Sequence, residues 1–227
     1  MTASPALTRS QLAAMIDHTL LAPEATAKDI RALCAEAKTL GVHAVCVSPT
    51  LTAVAARAVA GSFVRVAAVA GFPSGAHSAG LKASEAGEAA ATGAREIDMV
   101  INLGLAAEGR WKHVEEEIAA VRGEVPSPTL LKVIIESALL DTEGIIAACR
   151  AAESAGADFV KTSTGFHPAG GATTAAAALM AATVGNRLGV KASGGIRSAA
   201  DAIAMVGAGA TRLGLSRTAA ILAEMPG

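Results

Sequence analysis

Residues 96–102 read Glu96-Ile97-Asp98-Met99-Val100-Ile101-Asn102. Period-two alternation puts Ile97, Met99 and Ile101 on one face of a strand and Glu96, Asp98, Val100 and Asn102 on the other. A strand covered on both sides should read as continuous aliphatic sequence, so the polar face is the informative one. If the aliphatic face meets helices, the carboxylates point into an enclosed interior, where an unpaired charge is costly. Leu131-Lys132-Val133-Ile134-Ile135-Glu136 shows the same parity, separating Lys132 and Glu136 from Leu131, Val133 and Ile135. Phe159-Val160-Lys161 and Gly189-Val190-Lys191-Ala192 each place a lysine close to the C-terminal end of a strand.

Working outward, eight β-branched runs recur with Ala-rich helical stretches between them: 15–17, 44–47, 66–70, 96–101, 131–135, 159–161, 189–192 and 212–215. Thr26 caps a helix predicted from Ala27 to Leu40 and stopped by Gly41, Ser48 and Pro49 start the next, and Asp141 caps one from Thr142 to Ala155 ended by Gly156. Strands alternating with helices pair in parallel through right-handed crossovers. Eight units without a Pro-rich or Ser-rich linker predict a (β/α)8 TIM barrel, a single domain over residues 1–227 with a short N-terminal helical segment. The alternative is a doubly wound open sheet, which would show a glycine fingerprint after its first strand, and the stretch DHTLLAPEAT has none. The nearly pure Ala segment from Ala175 to Ala182 reads as a helix packed closely on the barrel.

Three of only seven lysines thus fall on buried strands. As consecutive barrel strands, those carrying Lys161 and Lys191 are neighbours about 5 Å apart. Repulsion and desolvation both lower a lysine pKa, and the free amine so produced is a Schiff-base nucleophile. Asp98 can face the pair across the interior and neutralise the second lysine or relay a proton through it. For Lys132 two readings stand side by side: an ion pair with Glu136, Glu96 or another interior acid, and catalysis.

Composition narrows the function. Nineteen Lys and Arg against 20 Asp and Glu leave no basic footprint for nucleic acid, and four Phe with one Trp cannot build a base-stacking platform. No apolar run approaches the ~18 residues that span a bilayer. The opening MTASPALTRSQ lacks a signal-peptide pattern, and Cys34, Cys46 and Cys149 show no CxxC spacing. A compact soluble protein of a reducing cytoplasm is expected. Gly194 and Gly195 follow the seventh strand, and Gly214 and Ser216 close the eighth; bare backbone N–H groups there suit an anion, at the corner where barrels often bind phosphate.

Six motifs in register with these strands, IDHTLL (16–21), GFPSG (71–75), EIDMVIN (96–102), LLKVIIES (130–137), KTSTGF (161–166) and VKASGGIR (190–197), resemble the 2-deoxyribose-5-phosphate aldolase family. The resemblance runs in order from Ile16 to about Arg217. It implies a class I aldolase on a (β/α)8 barrel that needs no metal or other cofactor and cleaves 2-deoxy-D-ribose 5-phosphate to D-glyceraldehyde 3-phosphate and acetaldehyde. It further implies Lys161 as the Schiff-base lysine, Lys191 as the lysine that perturbs it, and Asp98 as the acid of the proton relay. Asp17, Cys46, Lys132 and Thr164 become accessory pocket residues, and Gly165, Gly194, Gly195, Gly214, Ser216 and Arg217 the phosphate site. Members commonly have Lys where this chain has Ala22, Asn at Ser48, and Ser-Gly at Arg217-Thr218. Some carry a C-terminal Tyr that assists proton transfer; this chain has no Tyr, so its relay rests on Asp98, Lys191, Thr164 and water. Ala and Val on outer helices suit a homo-oligomer.

Three rival readings make different demands. A Schiff-base barrel of another specificity, such as a transaldolase-like or ketose aldolase, is separated by a panel of sugar-phosphate substrates. A metal-dependent aldolase or isomerase needs ligand spacing that His18, His43, His77 and His167 do not have, and His113 with Glu117 reads as an i, i+4 pair on a solvated helix face. A catalytically silent sugar-phosphate-binding barrel would trap no imine.

Overall fold

The computed structural model describes residues 7–226. Eight strands, β1 (Ile16–Thr19), β2 (Ala44–Val47), β3 (Arg65–Ala70), β4 (Glu96–Val100), β5 (Leu130–Ile134), β6 (Phe159–Lys161), β7 (Gly189–Ser193) and β8 (Arg212–Leu215), close into one parallel barrel in chain order. β8 pairs with β1 through Asp17 opposite Gly214. The outer ring is formed by α2 (Ala27–Leu40), α3 (Thr52–Val59), α4 (Ala79–Ala91), α6 (Trp111–Glu124), α7 (Thr142–Ser154), α8 (Thr174–Val184), α9 (Ala199–Gly207) and α10 (Thr218–Ala223). The short α1 (Arg9–Ala13) precedes β1, and α5 (Leu103–Ala107) follows β4. The expectation placed on the opening residues falls in part on 1–6, outside the described residues. Among the described residues no helix is long and apolar enough to cross a membrane.

Local chemistry sets the boundaries. Thr26 and Asp29 cap the start of α2 reciprocally, and Gly41 ends it in the left-handed region at φ +70°. Asp141 accepts from the Gly144 amide at 2.8 Å to start α7. Ser48 and Pro49 begin a single 3-10 turn, and the α-helix itself opens only at Thr52. β5 ends one residue earlier than the aliphatic run does, because the chain turns sharply at Glu136.

The apolar core lies outside the barrel, between strands and helices. The aliphatic parity of β4, Ile97 and Met99 with Ile101 beyond it, packs there against Val114, Ile118 and Val121 of α6. Inside, only a small apolar cluster of Leu21, Cys46, Ala67 and Val69 forms. The rest of the interior is ionic.

One surface reading is overturned. His113 is exposed, but Glu117 on the same helix is buried, bonding Lys82 of α4 at 2.9 Å. Lys82 also donates to the Val100 carbonyl at 2.8 Å, while Glu117 accepts from the Asn102 amide, so the pair clamps the end of β4. Four lysine side chains, with Lys82 the addition to Lys132, Lys161 and Lys191, are therefore buried. Gly71, at φ +63°, makes room for Lys82, whose chain a Cβ there would press at 2.9 Å.

Candidate active site

The expected interior residues converge. Lys161 is the last residue of β6 and lies opposite Lys191 in the register with β7, two residues before that strand ends. Asp98 reaches both, its Oδ2 accepting from Lys161 Nζ at 2.8 Å and from Lys191 Nζ at 2.7 Å. Its Oδ1 accepts from Lys132 Nζ at 2.6 Å. Asp17 bonds Lys191 and accepts from Arg212 at 2.8 Å. Gly214 leaves space for this, since a Cβ on it would sit 3.2 Å from Lys191 Cε.

Lys132 proves to be an ion-pair residue: it bonds Glu96 at 2.7 Å as well as Asp98. Glu136, the other partner considered, lies beyond the strand and does not meet it. Below this layer Arg212 joins Asp17 to Glu96 at 2.8 Å each, and its guanidinium lies 5.3 Å from the Phe159 ring centroid. Gly189 is required beside it, because a Cβ would collide with that ring. His43 closes the layer through Glu96 at 2.9 Å. Arg212, Glu96 and Phe159 each start their strands, so this group fills the N-terminal end of the barrel. Sequence reading missed Arg212 and His43; the signal for Arg212 was its parity with Gly214 on a strand that the barrel must enclose.

The charges do not affect the lysines equally. Three carboxylates, Asp17, Glu96 and Asp98, face four basic side chains, Lys132, Lys161, Lys191 and Arg212, in one ion-paired cluster. Burial, then the Lys191 charge, holds the Lys161 pKa below the ordinary value against the pull of Asp98. For Lys191 burial acts downward too, but Asp17 and Asp98 together outweigh it and the pKa rises. Lys132 is raised likewise, burial being overcome by Asp98, Asp17 and Glu96. Burial would raise the Asp98 pKa, yet Lys132, Lys161 and Lys191 hold it well below the usual carboxylate range. Burial pushes the Cys46 thiol up, as does Asp98, leaving it a protonated wall of the interior.

Above Lys161 a cavity of about 430 Å³ opens at the C-terminal end of the barrel, lined by Thr19, Leu21, Thr164, Gly165, Phe166, Ser193, Gly194, Gly195, Gly214 and Ser216. Thr162 and Ser193 tie β6 to β7 beneath it, Ser193 N donating to Thr162 Oγ1 at 3.0 Å and Thr162 Oγ1 to Ser193 O at 3.1 Å. Gly165 and Gly194 approach so closely that a Cβ on Gly194 would lie 3.1 Å from Gly165 Cα. Gly194 and Gly195 have φ of +83° and +80°, the left-handed region that favours glycine. The next helix, α9, follows at once behind its cap Ser198. Arg217 is the exception among the expected anion-site residues: it is exposed at the start of α10 and outside the cavity wall. Among the described residues no three His, Cys, Asp or Glu side chains are grouped to hold a metal ion.

A buried amine of lowered pKa at the floor of a cavity rimmed by backbone N–H groups can add to a carbonyl while an anionic end is held above. Comparison with known proteins agrees in kind. The model of the DeoC/LacD family aldolases matches residues 11–217. The deoxyribose-phosphate aldolase of Kocuria rhizophila is 61% identical over 216 residues, covering 95% of this chain and 97% of the relative. That of Mycobacterium avium is 63% identical over 219 residues, again covering 95% and 97%. The tetrameric deoxyribose phosphate aldolase structure from Aeropyrum pernix superimposes with a TM-score of 0.88 at 34% identity, covering 95% of this chain and 91% of that one.

Proposed function

The chain belongs to the DeoC/LacD family of aldolases, and on that premise we propose that it is a class I aldolase reversibly cleaving 2-deoxy-D-ribose 5-phosphate to D-glyceraldehyde 3-phosphate and acetaldehyde. The observation that carries the reading is Lys161, opposite Lys191 and sharing Asp98 with it, as the one of the three lysines on barrel strands whose pKa is lowered. Its amine adds to the aldehyde carbon of the open-chain sugar, and loss of water gives an iminium. The iminium withdraws the electrons of the neighbouring carbon–carbon bond, which breaks to leave an enamine on Lys161 and a free phosphorylated aldehyde. Protonation of the enamine carbon and hydrolysis then release acetaldehyde. Lys191 and Asp98 move protons at the nitrogen and the enamine.

The phosphate fits the rim formed by Gly165, Gly194, Gly195, Gly214 and Ser216, where backbone N–H groups and the start of α9 favour an anion. Arg217 acts there at most through its charge. No resident metal or organic cofactor enters this scheme. A cytoplasmic homo-oligomer is part of the same proposal, supported by the tetramer of the Aeropyrum pernix relative and by the exposed Phe63, Leu81 and Ile203; sedimentation velocity tests the assembly.

Borohydride treatment with acetaldehyde should reduce an imine on Lys161, located by peptide mapping, and cleavage of the sugar phosphate should vanish in Lys161→Ala. Labelling at another residue, or cleavage that survives Lys161→Ala, defeats the reading.

A further inference from the structure

Glu136 is a fully buried carboxylate that the chemistry above leaves without a task. Among the described residues it is the one non-glycine with positive φ, at φ +49° and ψ +59°. Backbone held in that region persists where the surroundings impose it, and such residues gather at functional sites. Among the described residues no lysine, arginine or histidine nitrogen lies within 4.0 Å of its carboxylate. Its partner is Thr164: the hydroxyl donates to Glu136 Oε2 at 2.6 Å, and the Thr164 amide approaches both carboxylate oxygens at 3.3 Å.

Thr164 lines the same cavity as Lys161, three residues along the same segment. A threonine hydroxyl has one proton to donate and two lone pairs to accept with. The proton is committed to Glu136, and one lone pair takes the Phe166 amide at 3.1 Å. One lone pair remains, so Thr164 can meet a ligand only as an acceptor, that is, by receiving a hydroxyl proton. Asp98, by contrast, already accepts from three lysine side chains.

We infer that Glu136, working through the Thr164 hydroxyl, receives the proton that leaves the substrate's β-hydroxyl when the carbon–carbon bond breaks. The inference rests on the proposed Schiff-base function. As the iminium draws in the electron pair of the breaking bond, the β-hydroxyl oxygen passes its proton to Thr164 Oγ1. Thr164 passes its own proton to Glu136 Oε2. The oxygen's freed pair forms the carbonyl of the departing aldehyde, and the iminium becomes the neutral enamine. In synthesis the same proton returns; in cleavage Glu136 gives it back through Thr164 to water that enters the cavity once the phosphorylated aldehyde has left. Glu136 is a positioning residue and proton store behind Thr164, while Asp98 and Lys191 serve the enamine; the two proton transfers use different carboxylates.

The division can be read in one preparation. Wild type, Glu136→Gln, Thr164→Val, Thr164→Ser and the Glu136→Gln/Thr164→Val double variant are assayed for sugar-phosphate cleavage and for wash-in of deuterium from heavy water into the methyl group of acetaldehyde, which needs only the enamine. Glu136→Gln and Thr164→Val should each lower kcat for cleavage by about 100-fold or more with KM within about threefold, as expected for a lost general base. Their deuterium wash-in should stay within about threefold of wild type. The double variant should be no worse than either single one, and Thr164→Ser should keep most of the activity. Cleavage by Glu136→Gln near the wild-type rate overturns the inference, as does wash-in that falls in step with cleavage. A wild type that neither exchanges deuterium nor traps an imine overturns the Schiff-base reading itself.

Discussion

Lys161 and Lys191 face each other across the β6–β7 register and converge on one oxygen, Asp98 Oδ2, at 2.8 and 2.7 Å. One oxygen cannot neutralise both, and Asp17 settles the competition by bonding Lys191. The Lys191 pKa is therefore raised while that of Lys161 is lowered.

Removing Lys191 should change where the nucleophile titrates. Lys191→Met deletes a positive charge that holds the Lys161 pKa down. Below its pKa Lys161 is an ammonium and cannot add to a carbonyl, so a raised pKa moves the acid limb of kcat/KM to higher pH. The pH profile of cleavage checks this, along with a loss of about 100-fold at neutral pH from the missing proton shuttle. An acid limb that does not move contradicts the arrangement.

Asp98→Asn takes from three buried lysine side chains the carboxylate they share. Breaking a buried ion pair on one side typically costs about 3–5 kcal/mol, equivalent to a drop of roughly 10 °C in melting temperature for a chain of this size. Differential scanning calorimetry should show that loss, and cleavage should fall with it.

Stability should decline in acid with a definite sign. Asp17 and Asp98 are held below the ordinary 3.8, and Glu96 below the ordinary 4.5, by the cations around them despite burial. Just beneath those values the unfolded chain binds protons that the folded one refuses, so stability falls as pH falls. The contribution is complete above the ordinary values and is lost as pH drops through the folded ones. Urea midpoints should owe no loss to these groups between about pH 7 and pH 5 and should slope downward below about pH 4; midpoints that stay level from about pH 5 down to about pH 3 would mean these carboxylates are not paired as described.

Gly194→Ala tests the anion rim. The backbone there sits at φ +83°, and the added methyl presses on Gly165 and Gly171. KM for 2-deoxyribose 5-phosphate should rise about tenfold or more, in line with 1–2 kcal/mol of strain for a side chain in the left-handed region. The kinetics of unphosphorylated 2-deoxyribose should change far less. Equal effects on both sugars would place the phosphate elsewhere.

The barrel and its reactive centre were legible because strand parity is strict. A lysine alternating with valines on an enclosed strand can only face inward, which located Asp98, Lys132, Lys161 and Lys191 before any coordinates. What stayed hidden were contacts between elements far apart in sequence. Lys82 sits in an Ala-rich helix, where no strand parity places it, and its burial depends on the absent side chain of Gly71 and on Glu117, 35 residues away. Glu136 shares the inward parity of Lys132, but the strand stops before it and its carboxylate meets Thr164, 28 residues on. The exposure of Arg217 depends on how β8 hands over to α10, which pattern alone does not fix.

The ionic group of Arg212, Glu96, Phe159 and His43 at the N-terminal end makes the barrel a blind vessel. Sugar, water and both aldehydes must use the same opening. In the proposed reaction the phosphorylated fragment, held at the rim and never bonded to the protein, blocks water's approach to the enamine until it departs. Release is then ordered by plugging as well as by covalency: the larger aldehyde leaves first, and only its exit lets the solvent in to free the smaller one.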